Sequence, residues 1–67
     1  MELQPYQQRV VQEKAELDEK LEKLCLFCYS RTFEELPLME RERLNQQRHI
    51  MTSYSAILGA RIAAFGG

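Results

Sequence analysis

Two cations sit where the surrounding pattern calls for apolar residues. Lys14 lies four residues after Val10 and three before Leu17, on one stripe of a helix. Arg61 follows Leu58 by three and Tyr54 by seven, so it borders the stripe of a second segment. An unpaired charge held out of water costs several kcal/mol, so each must find an acid, solvent or an anionic ligand. If the two segments pair antiparallel, Tyr6, Arg9, Lys14, Tyr54 and Arg61 gather toward one end. Three cations can hold phosphates and two aromatic rings can stack on bases. The competing account is structural. Glu13, Glu16 or a neighbouring chain neutralises the cations, and their long stems reach water.

Other chemistry-bearing residues point less far. Cys25 and Cys28 form one C-x-x-C, which supplies two metal ligands where zinc takes four. A redox pair normally sits at a helix N-terminus, which lowers the thiol pKa, whereas this pair falls near the end of a helical pattern beside Leu24, Leu26 and Phe27. Packing in a reducing compartment is the expected role. His49, the single histidine, falls off the main stripe, and Glu40-Arg41-Glu42-Arg43 reads as a solvated helix face. No Ser–His–acid set has a recognisable context, and the one Gly-Gly pair ends the chain rather than opening a phosphate loop. The expectation is a protein that is not an enzyme and uses no cofactor or metal.

The elements that must position these residues are helical. Leu3, Val10, Leu17 and Leu24 recur every seven residues, with Leu21 and Cys28 alongside. Pro5 suits a first helical turn, and neither Gly nor Pro occurs from Tyr6 to Tyr29. Glu16–Lys20 and Glu19–Lys23 are favourably oriented i,i+4 pairs. Helix one is expected over about 5–28 and a turn over 29–36. In that turn Ser30 and Thr32 are polar cap formers and Thr32-Phe33-Glu34-Glu35 has the capping-box order, so a short helical turn is expected at Phe33–Leu36. Leu44, Met51, Leu58 and Phe65 repeat the heptad spacing, and Ile50, Tyr54, Ile57 and Ile62 are expected to widen the stripe. Helix two is expected over about 37–64, with Pro37 in its first turn and Gly59 as an interior weak point that permits close approach. Residues 1–67 then form a single helical-hairpin domain, all-α and antiparallel. If residue 28 faces 41, Lys14 lies opposite Ser55, and Arg61 lies opposite Gln8 beside Arg9.

Length and charge narrow the function. At 67 residues the chain is below the roughly 70–80 at which a lone core becomes sufficient, so assembly into a helical-bundle homo-oligomer is the expected remedy. No run of 18 apolar residues occurs, so no membrane span is expected, and the N-terminus lacks the pattern of an export signal. The net charge of −1 argues against a binder of long nucleic acid, whose affinity comes from phosphate neutralisation. The charge is unevenly spread. Residues 1–29 carry six acids and four bases, whereas residues 44–67 carry Arg48 and Arg61 and no acid. That cationic last third suits a small anion better than a polyanion.

The text Tyr6-Gln-Gln-Arg9-Val-Val-Gln-Glu13-Lys14-Ala-Glu16-Leu17, followed by Leu24, Thr32-Phe33 and Leu36-Pro37, resembles a family of small phage proteins related to a crAss-like phage protein. So do Gln47 to Met51, Tyr54, Leu58, Arg61 and Ile62. Their fold is similar to the helical hairpin of phage anti-CBASS and anti-Thoeris nucleotide sponges, and the resemblance covers nearly the whole chain. It implies a protein that sequesters cyclic dinucleotides, cyclic trinucleotides or cyclic ADP-ribose-type immune messengers without cleaving them. It implies action in the cytoplasm of the infected bacterial host, and a hexamer. It also implies ligand roles for Lys14 and Arg61, with Tyr6 stacking on a base. The alternative left open by the residues alone is a helical oligomerisation or partner-binding module with no small-molecule ligand.

Overall fold

The computed structural model describes residues 2–66, whose regular secondary structure is entirely helical. Helix α1 spans Pro5–Cys28, a short α2 spans Arg31–Glu34, and α3 spans Leu38–Ala64. The two long helices pack side by side as a rod with extents of 49 × 14 × 14 Å. No described helix is long and apolar enough to cross a membrane.

Each boundary has a local cause. Pro5 occupies the first turn of α1, where an N–H would have no intrahelical acceptor. Gln7 Oε1 folds back to accept the Gln4 backbone N–H at 2.8 Å. At the far end, Ser30 leaves the helix in an extended conformation (φ −87°, ψ 159°), the backbone an N-cap requires. Its Oγ accepts the Phe33 N–H at 3.2 Å and donates to the Phe27 carbonyl at 2.6 Å, tying the end of α1 to the start of α2. The short helical turn therefore begins at Arg31, earlier than the Thr32 capping pattern suggested. Ser30 reaches the cap position first because α1 stops at Cys28. Phe27 and Phe33 meet edge to face at 6.1 Å and close the turn. Pro37 caps α3 rather than entering it, with an extended ψ of 146°, and its carbonyl accepts the Arg41 N–H at 3.1 Å. Arg41 also uses its side chain, donating from Nε to the Leu36 carbonyl at 3.1 Å.

The inner stripes are the heptad residues. Val10 and Leu58 are buried, and Leu17, Leu21, Leu24, Cys25, Cys28, Leu44, Met51, Ile62 and Phe65 are half-buried. Cys25 and Cys28 carry free thiols. Three residues expected to widen the stripe of α3 do not. Ile50, Tyr54 and Ile57 are 69, 42 and 59% exposed. The reason is angular. Ile50 and Ile57 each precede a heptad residue by one position, which turns them about 100° away from the α1-facing stripe. With Tyr54 they form a second, outward apolar row. Of the two expected ion pairs on α1, Glu19–Lys23 forms at 3.3 Å, while Glu16 accepts from Gln12 Nε2 at 3.2 Å.

Candidate ligand-binding site

The heptad pairing sets Lys14 of α1 against Ser55 of α3, and Lys14 Nζ donates to Ser55 Oγ at 3.2 Å. The acid that meets Lys14 is neither Glu13 nor Glu16 but Asp18, one helical turn along α1. Lys14 Nζ lies 2.6 Å from Asp18 Oδ2. Ser55 Oγ completes the set by donating to Asp18 Oδ1. One carboxylate thus accepts from two donors, one per oxygen. The Lys14 hydrogen bond, followed by that from Ser55, holds the Asp18 carboxyl below the ordinary aspartate value of 3.8. Desolvation opposes them more weakly, because Asp18 is substantially exposed.

Gly59 explains how Lys14 crosses to α3. A Cβ built at Gly59 would stand 3.3 Å from Lys14 Cε, closer than ordinary contact. The missing side chain is the channel through which the Lys14 stem lies across the helix. An alanine there would gain up to about 1 kcal/mol in helix propensity but would press on the Lys14 stem.

The other candidate residues are placed differently. Tyr6 is 55% exposed and meets Phe65 edge to face at 6.4 Å, with the rings inclined at 77°. Arg9, Tyr54 and Arg61 are exposed. Arg61 lies in the last turn of α3, where a cation complements the helix dipole. Among the described residues, no hydrogen bond, ion pair or ring pairing joins any two of Tyr6, Arg9, Lys14, Tyr54 and Arg61. Nor do the described residues of one chain enclose a pocket. They contain no group of three side chains suited to hold a metal.

Two polar residues escape a reading of stripes alone. Asp18 looks like one acid among several on a solvated face. The signal for it is combined: it is i+4 from a stripe lysine that faces a hydroxyl. Arg48 precedes Ser55 by seven and so shares its side of α3. It is half-buried, its Nε is out of water with no acceptor, and Nη2 reaches Asn45 Oδ1 at 3.4 Å.

A family model described as Sequestin matches residues 4–64, nearly the whole chain. No curated protein and no solved structure matches it. The chain belongs to the Sequestin family.

Proposed function

We propose that this Sequestin-family chain removes a small anionic signalling molecule from solution by binding it and returns it chemically unchanged. The observation that carries this reading is the family match over residues 4–64, whose name supports sequestration as the activity. The ligand class is a cyclic dinucleotide, a cyclic trinucleotide or a cyclic ADP-ribose-type messenger. The setting is a phage countering CBASS or Thoeris immunity in the cytoplasm of its bacterial host. Such ligands carry few charges and flat rings, so a chain with net charge −1 can serve if its cations are local. The acid-free segment 44–67, the stripe lysine and the exposed Tyr6 and Tyr54 rings support that chemistry. Nanomolar capture requires about 12 kcal/mol. Charge-assisted hydrogen bonds and stacking from several copies can supply it, which is why the active form is a homo-oligomer, with the hexamer as its expected size. No catalytic residue, metal or cofactor enters the reading.

A second reading is favoured by one contact. Lys14 already has an acid at 2.6 Å, the arrangement of a structural ion pair. In that account the hairpin is an oligomerisation or partner-binding module, and the outward row Ile50, Tyr54 and Ile57 is its contact face.

Native mass spectrometry with a panel of cyclic nucleotides separates the two. The first reading expects an oligomer carrying ligand that is recovered at its original mass. It also expects Lys14→Met and Arg61→Ala to weaken binding by about tenfold to a hundredfold, one charge-assisted contact each. An oligomer that retains no member of the panel leaves the second reading standing, and recovery of a cleaved ligand rejects both.

A further inference from the structure

Lys14 Nζ and Ser55 Oγ–H converge on the two oxygens of one carboxylate. Two donors on two oxygens of one anionic centre is also how a phosphodiester presents itself, through its pair of non-bridging oxygens. We propose that Lys14 and Ser55 form a two-donor anion site, that Asp18 is its resident anion in the free protein, and that a phosphate of the sequestered ligand displaces it. The identity of that ligand rests on the sequestration reading above; the exchange itself does not.

Three features distinguish the resident from the site. The donors are fixed, because Ser55 belongs to the inner side of α3 and the Lys14 stem lies against Gly59. The acid is not fixed in the same way. Its side chain is 43% exposed against 30% for Lys14, so a change of rotamer carries the carboxylate into water, where it hydrates without loss of backbone structure. Finally, no second acid takes over the site from α3, since residues 44–67 contain none. With Asp18 turned outward, the crossing presents an ammonium and a hydroxyl with no acid on the α3 side. While Asp18 is in place, the lysine is satisfied and is not left stranded in the empty protein. The exchange therefore supplies selectivity: a ligand must offer a better anion than a carboxylate already tethered beside the site.

The test uses the full chain and two probes. Inorganic pyrophosphate, followed by NMR, reads the anion site directly. A cyclic dinucleotide, followed by calorimetry, reads the sequestration function. Asp18→Asn keeps the shape of the side chain and removes its charge. It should tighten pyrophosphate binding by about tenfold, the worth of one charge-assisted hydrogen bond, with amide shifts centred on Lys14 and Ser55. Adding Ser55→Ala should cancel most of that gain. Glu16→Gln makes the same change in net charge away from the pair and should alter affinity by less than about twofold, because exposed charges are screened. In the wild-type chain, saturation with pyrophosphate should move the Asp18 carboxyl carbon signal to that of a hydrated aspartate. An unmoved Asp18 signal overturns the proposal even if the variant fails to fold, and so does an Asp18→Asn variant no tighter than wild type. Binding of the cyclic dinucleotide by the wild type, with Asp18→Asn changing neither probe, rejects the exchange and keeps sequestration. Tighter pyrophosphate binding with no cyclic dinucleotide bound keeps the exchange and rejects that ligand class.

Discussion

In the half of the hairpin nearest the chain ends, Val10 and Leu58 are buried, Gly59 admits the Lys14 stem, and the lysine is met by Asp18 and Ser55. In the half nearest the turn no described residue is buried, and Arg48 keeps an Nε with no acceptor. The contrast follows from connectivity. Near the turn, the chain itself holds α1 and α3 together, aided by the Ser30 cap and the Phe27–Phe33 contact. Loop closure there is short and its entropic cost small. Away from the turn nothing covalent restrains the helices, so side-chain packing and a polar crosslink must do so. One interface thus has a half that is packed to hold and a half that can leave a cation incompletely satisfied.

The largest test of this contrast compares two leucines of the same stripe. Leu58→Ala should cost about 2–5 kcal/mol of unfolding free energy, as expected for a fully buried leucine. Leu44→Ala, from the half-buried end, should cost about half of that in dilute protein. Urea denaturation of both variants decides it, and equal losses would show the two halves to be packed alike. Next comes Arg48. Replacing it with methionine removes an unpaired buried N–H and keeps the apolar stem, so stability should rise by about 1 kcal/mol. A fall that appears only at high protein concentration would show instead that a second chain supplies the missing acceptor. Gly59→Ala is smaller still. The helix gains up to about 1 kcal/mol in propensity, and the flexible end of Lys14 gives way by a few tenths of an ångström. Thermal melts should show little change or a slight gain, while the Lys14–Asp18 pair loosens.

The smallest effect is that of acid. The folded-state pKa of Asp18 lies below the ordinary 3.8, so its contribution to stability is fully present above that value. It is lost as pH falls through the lower folded value. The stability difference between wild type and Asp18→Asn should therefore be constant near neutrality and vanish in strong acid. Melts at a series of pH values check this, and a difference that grows on acidification would contradict it.

How far the residues alone disclosed this arrangement depends on which physical rule fixes each part. The heptads Leu3 to Leu24 and Leu44 to Phe65 disclose the two long helices and their inner faces, because helical geometry leaves few alternatives. The same geometry places Lys14 opposite Ser55, a contact that the structure contains at 3.2 Å. Ile50 and Ile57 were misleading because apolarity does not say which side of a helix is covered in a single chain. Asp18 was hidden because its partner set spans two helices. A lysine, an acid one turn away and a hydroxyl on the opposite helix are ordinary until they are seen together. Arg48 was legible by its seven-residue offset from Ser55, but charge counting passes over geometry. Ser30 and Thr32 both read as cap formers, and Ser30 takes the role because helix ends depend on where the preceding helix stops.

The slenderness of the rod has a thermodynamic consequence. With transverse extents of 14 Å, α1 and α3 lie side by side with nothing behind them, and the described residues of one chain enclose no pocket. A nucleotide-sized guest that is to be surrounded must find walls from more than one copy. Uptake and assembly would then be linked equilibria, each shifting the other by mass action. The apparent affinity would weaken on dilution of the protein, and guest added to a dilute sample would drive subunits together.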